Sequence, residues 1–143
     1  MVSPTKTVEI VGGPAIVGVD VRSGLDLARA VRRGLSVQAA EHVLASGRLS
    51  AAEMDRVVLP RKTLANRRKA GTLTSEQSDR LIRAARILAW ADDTFGDPEK
   101  ARRWLRRATS ALGGERPLDL LDTEEGAREV ETLLGRIDHG LAA

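Results

Sequence analysis

Ser50-Ala51-Ala52-Glu53-Met54-Asp55-Arg56-Val57-Val58-Leu59-Pro60-Arg61-Lys62-Thr63-Leu64-Ala65-Asn66-Arg67-Arg68 is the stretch on which the fold turns. Ser50 and Glu53 form a capping box: the serine oxygen accepts an orphan first-turn amide, and the glutamate reaches back to the serine amide. A helix therefore opens at Ala51 and runs to about Val57. Pro60 suits the first turn of the next helix, where a missing amide costs nothing. That second helix ends near Gly71 and carries Arg61, Lys62, Arg67, Arg68 and Lys69 with no acid. Leu64 is its inward residue.

Upstream, Ser23 caps a helix through Arg33, with Leu25, Leu27, Ala28 and Val31 placed inside and Gly34 closing it. Ser36 caps a shorter helix through Leu44, closed by Gly47. Residues 1–20 show no helical period. There Thr7-Val8-Glu9-Ile10-Val11 alternates and Gly12-Gly13-Pro14 breaks it, which predicts a loose arm with one short strand. Downstream, Thr74 with Gln77 opens a long helix to about Thr94, its apolar residues Leu81, Ala84, Ala85, Ile87, Leu88 and Ala91 at helical spacing. Asp97-Pro98 restarts the chain as cap and first residue, with Ala101, Trp104 and Leu105 on one face. Thr123 caps the last helix, whose inner stripe is Ala127, Val130, Leu133, Leu134 and Ile137. The fold expected is all-α.

Composition narrows the function classes. With 143 residues, 42% hydrophobic and 30% charged, the chain has a soluble globular balance. There are no cysteines, which excludes disulfides, thiolate metal sites and a cysteine nucleophile, and suits the cytoplasm. His42 and His139 are the only imidazoles, too few for a zinc site. Lys6 followed by the apolar run from Val8 to Val21 loosely mimics an export signal, but Glu9, Pro14 and Asp20 interrupt it and it is too short to cross a membrane. No serine–histidine–aspartate, metal or phosphate-loop constellation is visible, so the chain is not expected to be an enzyme or to need a cofactor.

The net charge of +3 hides a separation. Residues 60–71 are basic, as is Lys100 to Arg107, with Lys100, Arg102, Arg103, Arg106 and Arg107. Residues 115–138 are rich in Glu and Asp. A basic middle and an acidic end suggest two different partners. The cations of Lys100 to Arg107 read first as a solvated face, with a second phosphate contact as the alternative. Gly113-Gly114 and Pro117 serve a tight reversal and the start of a one-turn helix. Gly126 and Gly135 each cost about 1 kcal/mol of helix propensity, which is tolerated where another backbone comes close, in the core or at a partner.

Two sets of residues carry a family resemblance. Residues 50–83, including Leu73-Thr74 and Ser78-Asp79-Arg80-Leu81, look like the helix-turn-helix of the Xre family. Trp104-Leu105, Leu112-Gly113-Gly114, Pro117-Leu118-Asp119-Leu120-Leu121-Asp122-Thr123, Gly126 and Arg136-Ile137-Asp138-His139-Gly140 closely resemble the toxin-binding domain of Xre/MbcA/ParS-type antitoxins. Such antitoxins pair with toxins carrying a RES domain, which consume NAD, and the C-terminal end blocks the toxin's active-site cleft. The resemblance implies a DNA-reading set of Arg61, Lys62, Thr63, Asn66, Arg67 and Arg68. It implies a toxin-binding set of Gly126, Glu129, Leu133, Arg136, Ile137, His139, Gly140 and Leu141. Acidic residues of the last helix, Glu129 and Glu131, would oppose a cationic cleft. Two departures stand out. The helix-turn-helix turn commonly uses glycine where this chain has Val58, and many members place an aromatic where it has Ala142-Ala143.

The expected organisation is a loose arm over residues 1–22, an Xre-like helix-turn-helix domain over 23–73, and a connecting helix with the toxin-binding domain over 74–143. The expected partners are a RES-domain toxin and operator DNA, with a homodimer or a hetero-oligomer with toxin and no membrane. The competing reading is a free-standing helix-turn-helix regulator with a C-terminal oligomerisation or effector domain.

Overall fold

Side-chain caps set where most helices begin in the computed structural model, which describes residues 2–140. The helices are α1 (Pro4–Ile10), α2 (Pro14–Val17), α3 (Gly24–Arg33), α4 (Val37–Ala45), α5 (Ala51–Val57), α6 (Arg61–Ala70), α7 (Ser75–Phe95), α8 (Pro98–Leu105) and α9 (Glu124–Asp138), with 3-10 turns at Ser110–Leu112 and Pro117–Asp122. Ser23, Ser36, Ser50, Thr74, Asp97 and Thr123 each accept a first-turn amide, and Ser50/Glu53 and Thr74/Gln77 are complete capping boxes. α6 differs. Its cap residue is Pro60, which has no side-chain acceptor, and the Asp55 carboxylate takes the Arg61 amide at 2.8 Å instead. No β-strand forms among the described residues.

α7 is the axis. Leu81, Ile82, Arg83, Ala84, Ala85, Ile87, Leu88, Ala89 and Ala91 are buried on it, because α1, α3, α8 and α9 all pack against it. A helix apolar nearly all round is one enclosed by neighbours. One continuous core runs from Val8 through Leu134. Polar ties cross it: the buried Leu35 amide donates to Ser78 Oγ at 2.8 Å, and Arg48 bridges to Asp92 at 2.8 Å. Arg106 grips both oxygens of Glu53, each at 2.9 Å, and donates to the Arg48 carbonyl at 3.1 Å. α8 is thereby bolted to α5.

The structure corrects the sequence reading at the amino end. Instead of a loose arm with a strand, residues 4–17 form α1 and α2 and bury Thr7, Val8, Val11 and Val17. Ser3 caps α1, Pro4 fills its first turn, and Val8 with Val11 recurs at helical spacing against α7. Valine's strand preference reflects fit to a half-buried surface, and a helical surface offered by α7 overrides it. A second correction concerns α3. Leu25 is 60% exposed and Ala28 is also outside, while Ala30 is the fully covered residue. α3 has only α7 as a major neighbour, so half of its apolar side lines an open groove of about 630 Å³ beside α1 and α7.

Two glycines are dictated by close backbone approach. A Cβ on Gly34, where φ is +91°, would lie 2.5 Å from the Leu73 carbonyl oxygen. One on Gly126 would lie 2.1 Å from the Leu120 carbonyl oxygen, so this glycine lets α9 seat on the Pro117–Asp122 turn. The alternatives of core and partner left open for Gly126 thus find a reason within the fold.

Candidate functional site

The turn between α5 and α6 needs no glycine. Val58 sits at φ −111°, ψ −64°, and no residue other than glycine has a positive φ among the described residues. Val58 and Leu59 are buried at 2% exposure each, so the β-branched side chain packs the turn inward rather than distorting it. Leu64 is the one buried residue of α6. Everything else on that helix faces out or lies at its margin.

The DNA-reading set divides in two. Arg61, Lys62 and Asn66 are exposed, with Thr63 half-buried beside them. Arg67 Nε donates to the Thr72 carbonyl at 2.7 Å, closing the C-terminal end of α6. Arg68 forms a two-pronged pair with Glu41 on α4. Arg67 and Arg68 therefore already carry structural bonds, and the outward chemistry of α6 rests on Arg61, Lys62 and Asn66. That arrangement suits a helix entering a major groove by its first turns, with arginine able to pair with guanine and asparagine with adenine.

The toxin-binding set also divides. Leu133 is 4% exposed and belongs to the core, so it is not on the surface offered to a partner. Burial is what its place in the inner stripe of α9 demands. Gly126 and Ile137 are half-buried, whereas Glu129, Arg136, His139 and Gly140 are exposed; Leu141 lies outside the described residues. Glu131 is held by Arg86 through two oxygens, at 3.0 and 3.4 Å, so its charge is already opposed within the fold. Glu124 and Glu125 pair with Arg128, each at 3.6 Å, and Asp119 pairs with Arg116 and Arg56. Much of the acidic run thus answers internal arginines.

Geometry adds residues to this face. Glu125, Glu129, Thr132 and Arg136 are all exposed and recur at i, i+4, i+7 and i+11, a single outer stripe of α9 that points on to His139. Glu125 and Thr132 could have been read as the complement of the inner apolar stripe.

The end of α9 is fastened. Asp138 accepts hydrogen bonds from Trp90 Nε1 at 2.8 Å and Thr94 Oγ1 at 2.6 Å. Partial burial pushes the Asp138 carboxyl up, but these two bonds together with nearby positive charge outweigh it and hold it below the ordinary carboxylate range. His139 Nδ1 lies 2.7 Å from the Gly135 carbonyl, and because a carbonyl only accepts, Nδ1 is the donor of this contact. Gly140, at φ +70°, follows as the left-handed residue past the helix end. Among the described residues no group of His, Asp and Glu is placed to hold a metal, and no helix is long and apolar enough to cross a membrane.

Comparison with known proteins meets this geometry at both surfaces. Residues 26–86 match the antitoxin Xre-like helix-turn-helix domain, and residues 91–140 match the antitoxin Xre/MbcA/ParS C-terminal toxin-binding domain. The first match ends and the second begins inside α7. An Antitoxin Xre of Yersinia enterocolitica is 34% identical over 128 residues, covering 87% of this chain and 86% of its own length. An Antitoxin Xre of Photorhabdus laumondii is 42% identical over 74 residues, 51% of this chain and 50% of its own. A Prs ADP-ribosylating antitoxin of a Sphingobium species is 36% identical over 80 residues, half of each chain. An all-α body with an exposed basic helix and a fastened terminal helix is the setting of these matches, and the chain belongs to the Xre/MbcA/ParS antitoxin family.

Proposed function

We propose that this antitoxin neutralises a RES-domain, NAD-consuming toxin by seating the end of α9 in its active-site cleft, and represses its own operon through α6. The observation that carries the first half is the fastening of Asp138 by Trp90 and Thr94, which presents Arg136, His139 and Gly140 in one fixed direction. A plug held in its binding geometry spends less ordering entropy on binding than a frayed end. The Sphingobium relative carries ADP-ribosylation in its name, a reaction whose ADP-ribosyl group comes from NAD, which supports a toxin of that chemistry. The second half rests on the exposed Arg61, Lys62 and Asn66. It calls for a homodimer, because one helix-turn-helix reads too few bases for useful discrimination.

The test is NAD loss over time by the protein encoded beside this one, with and without an equimolar amount of this chain. The expected result is NAD lost by the neighbour alone and preserved in the mixture, with truncation after His139 weakening protection. An inert neighbour, or an unprotected one, overturns the toxin assignment.

A further inference from the structure

The five cations of α8 and its end do not form one uniform face. Arg106 is spent on Glu53 and the Arg48 carbonyl. Arg102 and Arg103 line, together with Arg106, a cleft of about 900 Å³ whose other lining includes Gly47 and Ser50 of the α4–α5 connection and Ala51 at the start of α5. Arg103 is exposed and forms no ion pair among the described residues. Among the described residues Arg102 reaches only carbonyl oxygen, from Ser46 at 3.5 Å, and its buried Nε has no hydrogen-bond partner. Arg103 thus keeps its guanidinium unspent beside an open recess, and the half-buried Arg102 next to it holds only one long bond to a carbonyl. Glu99 stands at the rim, and Glu53 beneath is neutralised by Arg106.

The position of this recess gives it a meaning. Leu44 and Ala51 line it and also line a smaller cleft bounded by Arg61, Leu64 and Arg68. One surface therefore runs from α8 across the start of α5 to the first turn of α6. When a helix-turn-helix docks, the second helix enters the major groove and the first crosses the phosphate backbone. The backbone that passes the start of α5 is thus brought to the α8 cleft.

The geometry points to Arg102 and Arg103 as a DNA phosphate clamp, contributed by the toxin-binding half of the chain to the helix-turn-helix beside it. This rests on the DNA reading of α6 and deepens it. The clamp carries no sequence information; it adds affinity and fixes the register in which Arg61, Lys62 and Asn66 meet base edges. Guanidinium suits the task because its planar fork matches phosphate oxygens. The bolt between Arg106 and Glu53 makes the two contacts act as one rigid unit.

The test measures binding of the full chain to two duplexes over a range of salt: one spanning the region upstream of its gene, one of random sequence. Arg103→Gln should lower the slope of log affinity against log salt by about 0.9, and the Arg102→Gln/Arg103→Gln pair by about 1.8, since each phosphate contact releases that share of a counterion. Both variants should weaken the two duplexes equally, by roughly fivefold per cation at 0.1 M salt. Arg61→Ala/Lys62→Ala should instead erase the preference for the upstream duplex. Arg103 is exposed and has no side-chain partner among the described residues, so its variant keeps the fold even where Arg102→Gln disturbs it. Unchanged slopes in Arg103→Gln with intact wild-type binding overturn the clamp and leave α6 standing. Weakened toxin capture with unchanged slopes overturns it in favour of a protein contact. A wild-type chain without salt-sensitive DNA binding overturns the clamp and the α6 reading together.

Discussion

α6 and α9 are the two helices that bear the candidate contacts, and they are held in opposite ways. α6 buries one residue, Leu64, and is secured mainly at its ends, by Asp55 at the start and Arg67 at the finish. α9 buries Ala127, Val130, Leu133 and Leu134 and is clamped at its end by Asp138. A helix secured by its ends leaves its length free for outside chemistry. A helix secured along its length can offer only its outer stripe and its tip. Substitutions on the outside of α6 should therefore move binding without stability, and those around α9 should move both.

Trp104→Ala should break this contrast most severely. Trp104 is 7% exposed, packs against Phe95 with ring centroids 5.2 Å apart, and belongs to the core that supports α9. Its truncation should cost about 3–5 kcal/mol in urea unfolding and abolish toxin protection through the fold. Arg61→Ala and Lys62→Ala come next. A lost bidentate base contact should cost about 1–3 kcal/mol of discrimination in a DNA-binding titration, while the melting temperature stays within the small range of surface substitutions. A large stability loss in these variants would erase the distinction between the two helices.

Asp138→Ala should cost on the order of 1 kcal/mol of stability, a modest figure because the carboxylate is largely exposed, yet weaken protection by more than that loss explains. The wild type gives the same result by pH. A carboxyl whose folded pKa is depressed contributes its stability above the unfolded value, about 4, and loses it as the pH falls through the folded value. Glu53 behaves alike: burial pushes its carboxyl up, but Arg106 and Ser50 hold it below the ordinary range. Acid titration of the melting temperature should show a decline starting near pH 4, and Asp138→Ala should make it shallower.

The smallest effect is expected at Arg83. It is 8% exposed, its two contacts to Glu124 and the Leu121 carbonyl are both 3.4 Å, and its Nε has no partner among the described residues. Burying a charge on such long bonds recovers little of its desolvation cost, so Arg83→Met should be near neutral or stabilising in the same unfolding assay. A loss above about 3 kcal/mol would show that this ion pair is a true fastening of α9 to α7.

The sequence by itself determined the helix starts from Ser23 onward, the all-α class and the exposed basic helix. Caps and 3.6-residue periods are local signals, complete within a few residues, so Ser50/Glu53 and Thr74/Gln77 are legible without a fold. The family resemblance at Trp104, Gly126 and His139 was legible for the same reason, being a matter of residue type and spacing. Other matters were not legible. The helix at Pro4–Ile10 exists because α7 offers it a surface, and Leu25 is exposed because α3 has few neighbours. Which cations are free was decided only by tertiary contacts. Arg61 and Arg68 read alike in sequence, yet Glu41, far away in the chain, pairs with one and not the other. Arg102, Arg103 and Arg106 read in sequence as one run, a solvated face or a second phosphate contact, yet Glu53 claims the last, Arg102 reaches the Ser46 carbonyl, and Arg103 is left exposed beside the start of α5. Local patterns specify where a helix begins and which side is apolar; what a charged side chain does depends on the group that folding brings opposite it.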